Sequence, residues 1–262
     1  MMDWRNMNGL QPRIAFVVWV IAFAAASSEA QSAVSDFTPR TFVGANGVSI
    51  AYRLFVPDAK VRVRSLPVII HLHGGAGNGT DNLKQIAGGN TSGTHVWVTA
   101  HMQARHPAFV VAPQLPTDTR WDARQTDGVS AYAALVIELL ASLSREFSID
   151  SGRVYLMGQS LGGFGTWDLV TKRPDLFAAA VPLCGAGTPA RASAARLVPI
   201  WAFHGTKDEV VPVNGSREMV AALRAVGSKV KYTEYPDVGH DVWTVAYADR
   251  DLPDWLFAQR RR

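Results

Sequence analysis

Two rhythms of apolar and polar residues divide the chain. Short, continuous runs rich in β-branched residues are separated by longer stretches whose apolar positions recur at helical spacing. The segment "PVIIHLHG", residues 67–74, is apolar almost throughout and predicts a strand buried on both faces. "AFVVAPQ", "RVYLMG", "FAAAVPLCG", "PIWAFHG" and "SKVKYTEYP" predict further strands, with helices over 128–147, 161–173, 216–226 and 242–260. Earlier, "RTFVGANGVSIAYRLFVP" breaks its alternation at Asn46-Gly47, the signature of a tight hairpin turn. Strand followed by helix, repeated, predicts an α/β domain: a mostly parallel twisted sheet with helices on both faces. No internal repeat, low-complexity tract or linker divides residues 31–262, so one domain is expected.

The first thirty residues follow another pattern. Arg5 and Arg13 precede "IAFVVWVIAFAAA", too short to span a bilayer, and "SSEAQS" then supplies small residues for cleavage after Ala30. Residues 1–30 are therefore expected to be a signal peptide. The mature protein would be secreted or periplasmic, with no stable membrane anchor.

Charge and cysteine content narrow the partners. The formal net charge is +4, and three positive charges stand in the terminal "RRR". With no other basic cluster, a frayed tail accounts for the charge and no nucleic-acid partner is expected. Cys184 is the only cysteine, which excludes an intrachain disulfide, and its place after "AAAVPL" predicts a buried, inert thiol. His71 and His73 share one face of a strand without a third ligand nearby, so no metal is expected.

Ligands of such sheets bind beyond the carboxyl ends of the strands. At one of these ends stands "YLMGQSLGGFGTW", residues 155–167, in which "GQSLG" joins a predicted strand to a predicted helix. That is the context the G-x-S-x-G motif requires. Glycines at 158 and 162 let strand and helix approach, Ser160 is pushed out on a sharp turn, and the Leu161 N–H faces outward at a helix start. A serine hydroxyl needs a base to become a nucleophile, and that base needs a carboxylate. On this topology the carboxylate and then the histidine should follow the serine in chain order. Asp208, in "HGTKDEVVP", and His240, in "PDVGHDVW", meet that order at the ends of two later strands. Asp237 and Asp241 lie too close to His240 in sequence to turn toward its ring. His204 ends a strand and is expected to hydrogen-bond the acid loop. A second oxyanion donor is expected from "HGGAGNGTDN", with the Gly75 N–H as partner to that of Leu161 and Ala76 as the alternative. A phosphate-cradling loop is disfavoured because no GK[ST] follows these glycines. The pattern calls for no cofactor.

Taken together, "HLHGGAGNGTDN", "VVAPQLP", "IDSGRVYLMGQSLGGFGTWDLVTKRPDLFAAAVPLCGAG", "HGTKDEVVP" and "GHDVWTVAYADRDLPDWL" resemble the secreted α/β-hydrolase esterases. The likeness is to those described as polyhydroxybutyrate-depolymerase-like or prolyl-oligopeptidase-like, near the feruloyl and acetylxylan esterases. It runs from Pro67 to the C-terminus and implies a carboxylic-ester hydrolase using Ser160, Asp208 and His240. Gln159 departs from the apolar or aromatic residue common before the nucleophile in that family.

Only "GAGTPARASAARLVP" separates the strand ending near Cys184 from the next, too little for a cap domain. An uncapped site suits bulky or polymer-attached esters as substrate. Trp121, in the long loop "PQLPTDTRWDARQTDG", and Trp243 are candidate pocket walls beside Gln159. Two other functions share these features: a serine peptidase, since the same three groups cleave amides, and a non-catalytic binding module on the same fold.

Overall fold

The computed structural model describes residues 36–61, 64–123 and 126–261. The expected signal peptide and its cleavage point lie outside them. Strands β1 (Thr38–Val43) and β2 (Ser49–Phe55) form the expected hairpin, running antiparallel from Thr38 opposite Leu54 to Val43 opposite Ser49. Its turn has the expected chemistry: Gly47 takes φ 79°, and the Val48 N–H donates to Asn46 Oδ1 at 3.0 Å.

Six further strands follow: β3 (Leu66–Leu72), β4 (Phe109–Gln114), β5 (Ile149–Gln159), β6 (Ala179–Leu183), β7 (Trp201–Gly205) and β8 (Lys231–Tyr235). The eight form one sheet in the order β1-β2-β4-β3-β5-β6-β7-β8. Strands β3 to β8 are mutually parallel, and β2 pairs antiparallel with β4.

Every residue of β3 is buried because successive side chains enter different layers. Short helices α1 (Thr91–His95) and α2 (Ala100–Arg105) follow β3, and the longer α3 (Ala131–Glu146), α4 (Leu161–Lys172) and α5 (Asn214–Ala225) follow β4, β5 and β7. Val68, Ile70 and Leu72 pack into the layer that holds Leu139 of α3, Trp167 of α4 and Leu223 of α5. Ile69 faces the opposite layer, with Trp97, Val242, Tyr247 and Leu252. Helix α3 starts where its cap allows, since Ser130 Oγ accepts from the Ala133 N–H at 3.1 Å.

Two expectations are corrected at the C-terminal end. The helix expected over 242–260 is two short ones, α6 (Trp243–Ala246) and α7 (Asp251–Phe257). Pro253 explains the break, because it has no N–H for the Asp249 carbonyl and its ring would strike it. Instead the Asp251 N–H donates to Asp249 Oδ1 at 2.9 Å and starts a new helix. Nor do Arg260 and Arg261 of the basic tail fray. Arg260 Nη1 donates to Asp150 Oδ2 at 3.0 Å, and the Arg261 N–H donates to the Gly152 carbonyl at 2.9 Å. Between β6 and β7 there is only a 3-10 turn, Pro189–Ala195, so among the described residues no inserted cap covers the strand ends.

Candidate active site

The turn from β5 into α4 is a strained point of the fold. Ser160 has φ 53° and ψ −116°, a conformation that costs a non-glycine residue on the order of 1–3 kcal/mol. Its surroundings hold it there. The Ser160 N–H donates to the Leu183 carbonyl at 3.0 Å and approaches Cys184 Sγ at 3.3 Å. A side chain on Gly158 would strike the Gly162 carbonyl, and one on Gly162 would strike the Leu72 carbonyl. Both glycines are thus required by backbone packed against backbone, as the motif predicts.

Asp208 and His240 come to Ser160 from the ends of β7 and β8. Asp208 Oδ1 accepts from the Val210 and Val211 N–H groups at 2.9 and 2.8 Å. Its Oδ2 accepts from His240 Nδ1 at 2.8 Å, and because a carboxylate only accepts, the imidazole proton sits on Nδ1. Nε2 is therefore the accepting nitrogen, and Ser160 Oγ donates to it at 2.8 Å. The Asp208 side chain has no exposure while that of His240 keeps 20%, so the carboxylate is dry and the imidazole meets solvent on one side. His204 does bond the acid loop, its Nε2 lying 2.9 Å from the Val211 carbonyl and 3.2 Å from Asp208 Oδ2.

Gly75 and Ala76 are exposed at the start of a 3-10 turn, Gly75–Gly77, directly after β3. The preceding residue lies against the elbow: a methyl on Gly74 would sit 3.5 Å from both Ser160 Cβ and the Gln159 carbonyl. Among the described residues no hydrogen bond takes up the N–H of Gly75 or of Leu161. One free amide is therefore next to Ser160 in the chain, and the other follows the residue packed on the elbow.

The amide network that fixes this loop escaped the sequence. Asn90 Oδ1 accepts from the Gly74 N–H at 2.9 Å, and Asn90 Nδ2 donates to the Lys84 carbonyl at 3.0 Å. Gln114, at the end of β4, donates to the Gly77 carbonyl at 3.0 Å. His73 Nδ1 donates to the Gly74 carbonyl at 2.7 Å, and Nε2 accepts from the Leu115 N–H at 3.0 Å. His73 and Gln114 carried one sequence signal, their place at or just beyond a strand end, and Asn90, far from any strand, carried none.

Two of the expected pocket residues are corrected. Trp121 has no exposure and donates from Nε1 to the His73 carbonyl at 3.1 Å, so it anchors its loop beneath the end of β3 and walls no pocket. The loop is held from its other side too, because the Ala123 N–H donates to Asp168 Oδ2 at 3.1 Å. Gln159 is 2% exposed and donates from Nε2 to the Gly89 carbonyl at 2.7 Å, which makes it a strut between the elbow and the 88–90 turn. Trp243 does stand beside the site, half-buried, its ring edge-on to His240 at 5.4 Å.

One group of possible metal ligands occurs among the described residues: donor atoms of Cys184, Asp208 and His240 lie within 4.8 Å of one another. Burial raises the Cys184 thiol well above its usual range, so the sulfur stays protonated and is a poor ligand. The carboxylate oxygens are also engaged by N–H donors. A chain of hydrogen bonds suits the group better than a cation.

The fold is that of the α/β-hydrolases: an eight-stranded, mostly parallel sheet, a serine elbow after a central strand, and no inserted cap. Within that class, residues 59–249 match the phospholipase/carboxylesterase family, and the chain belongs to it. A bifunctional acetylxylan esterase/xylanase of Neocallimastix patriciarum is 31% identical over 147 residues, which cover 55% of this chain and 20% of that protein. A thermostable esterase of known structure superposes with a TM-score of 0.83 at 38% identity, over 87% of this chain and 64% of the other. The feruloyl esterase module from Clostridium thermocellum shares the fold at 14% identity, with a TM-score of 0.66 over 86% and 89% of the two chains. The chain spans between 20% and 52% of the length of the curated relatives it matches.

Proposed function

We propose that the protein is an exported serine carboxylesterase that works through an acyl-enzyme on bulky or polymer-attached esters of the acetyl-xylan, feruloyl or hydroxyalkanoate type. The observation that carries this reading is the unbroken path from Ser160 Oγ to His240 Nε2 and from His240 Nδ1 to Asp208 Oδ2, each step 2.8 Å. His240 takes the hydroxyl proton as Ser160 Oγ attacks the ester carbonyl, and Asp208 stabilises the imidazolium that forms. The Leu161 and Gly75 N–H groups receive the oxyanion, the first at the positive end of α4. His240 then protonates the leaving alcohol, and water repeats the sequence on the acyl-enzyme.

The open strand ends support a bulky substrate, and the acetylxylan esterase relative supports a polysaccharide ester. Export is supported by Arg5, Arg13 and the apolar run after them, and predicts a mature N-terminus at Gln31. The test is turnover of p-nitrophenyl esters, methyl ferulate, acetylated xylan and polyhydroxybutyrate by the protein and its Ser160→Ala variant. Loss of the nucleophile should cost on the order of a million-fold in kcat. Asp208→Asn, which disturbs the tautomer of His240, should cost about ten-thousand-fold. Wild-type turnover by Ser160→Ala would sink the proposal.

A further inference from the structure

His204 is a buried imidazole that the triad chemistry leaves without a task. It stands at the end of β7, four residues before Asp208, and has no exposure. Its Nε2 points at two atoms, the Val211 carbonyl at 2.9 Å and Asp208 Oδ2 at 3.2 Å. Neither can donate, so Nε2 carries the proton. Burial lowers the pKa of the ring, which favours the neutral form with Nδ1 as acceptor. Ser216 Oγ, at the start of α5, lies 2.8 Å from Nδ1 and 3.1 Å from the Gly185 carbonyl, so its one proton has two acceptors. The tautomer is set from the Nε2 side.

The carboxylate of Asp208 then has three hydrogen-bond donors and a second imidazole close by. Two backbone N–H groups bind Oδ1, His240 binds Oδ2, and His204 Nε2, bonded to the Val211 carbonyl, lies 3.2 Å from Oδ2. A dry carboxylate with fewer donors would be costly to keep charged and free to turn about its own bonds. His204 also holds the Val211 carbonyl, while the N–H of the same residue binds Oδ1. One ring thus pins both the acid and the loop that carries it.

From this geometry we infer that His204 is a positioning residue for catalysis: its Nε2 proton, held between the Val211 carbonyl and Asp208 Oδ2, fixes the acid loop and aims the carboxylate at His240 without touching the substrate. The inference rests on Ser160, His240 and Asp208 being the working triad. It predicts that a replacement must reach Asp208 to preserve turnover, whatever it does for Ser216.

Two polar variants separate these roles. Glutamine can place its amide N–H near the position of Nε2, whereas asparagine reaches only as far as Nδ1 and can satisfy Ser216 alone. His204→Gln should keep kcat within about threefold, and His204→Asn should lose on the order of tenfold to a hundredfold in kcat with KM unchanged. Rates are expressed per site labelled by a fluorophosphonate, so unfolded protein does not count. In an Asp208→Asn background the His204→Asn change should matter by less than about twofold, since its effect passes through the carboxylate. Equal kcat for the Asn and Gln variants, or an undiminished loss in the Asp208→Asn background, would overturn the role of His204. Failure of the wild-type Ser160 to label would instead overturn the triad, and this inference with it.

Discussion

At the scale of single residues, the imidazoles divide by what surrounds them. His240 has an acid on one nitrogen and a hydroxyl on the other, while His71 is wholly buried with no hydrogen-bond partner among the described residues for either nitrogen. Burial pushes the pKa of His71 down to about 3 and that of His73 down to about 4. Both values lie below that of an unfolded histidine, about 6.5. The unfolded chain therefore binds protons that the native state refuses. Stability from these groups is full above about pH 6.5 and falls as the pH drops toward the folded values, by ~1.4 kcal/mol per pH unit for each. His71→Leu should remove one such proton from the balance. Urea unfolding at pH 7, 5.5 and 4.5 should show a shallower loss of stability on acidification than in the wild type, and parallel curves would refute the assignment.

At the scale of elements, the chemistry depends on loops locked by amides. The 74–90 segment carries the Gly75 N–H, yet its position is set by Asn90, which is 2% exposed and holds the Gly74 N–H. Asn90→Ala would leave that amide unpaired, at a cost of about 1–3 kcal/mol. The loop would then shift relative to Ser160. Esterase kcat should fall by about ten- to a hundredfold while far-UV circular dichroism stays unchanged. Full activity in the variant would show that Asn90 does not position the loop. Motif spacing made the elbow, the hairpin turn and the order of the triad residues readable before folding. It did not reveal Asn90 or Gln114, whose partners lie on segments distant in sequence.

At the scale of the whole molecule, the missing insertion between β6 and β7 decides what can approach. Gly75 and Ala76 are exposed, and no element of the described residues forms a cap over them. An enzyme without a lid needs no interface to open it. The rate on a short-chain ester should rise hyperbolically with concentration and pass the solubility limit smoothly. A sharp increase at that limit would point to a mobile cover and against the open site.

Sequence alone was sufficient for the class of fold, for the strained serine turn, and for Asp208 and His240 as its partners. These rest on rules that act over a few residues or on chain order: β-branched runs make buried strands, and only glycine lets strand and helix backbones approach at 158 and 162. Tertiary structure alone decided that Trp121 and Gln159 are supports hidden beneath the site and that Arg260 and Arg261 are docked, whereas Pro253, which divides the last helix, acts by a local rule. Tertiary structure also decided that the rings of His240 and His204 both lie against Asp208 Oδ2. A side chain's partner depends on what the folded chain brings within hydrogen-bond reach, and local sequence carries little record of that.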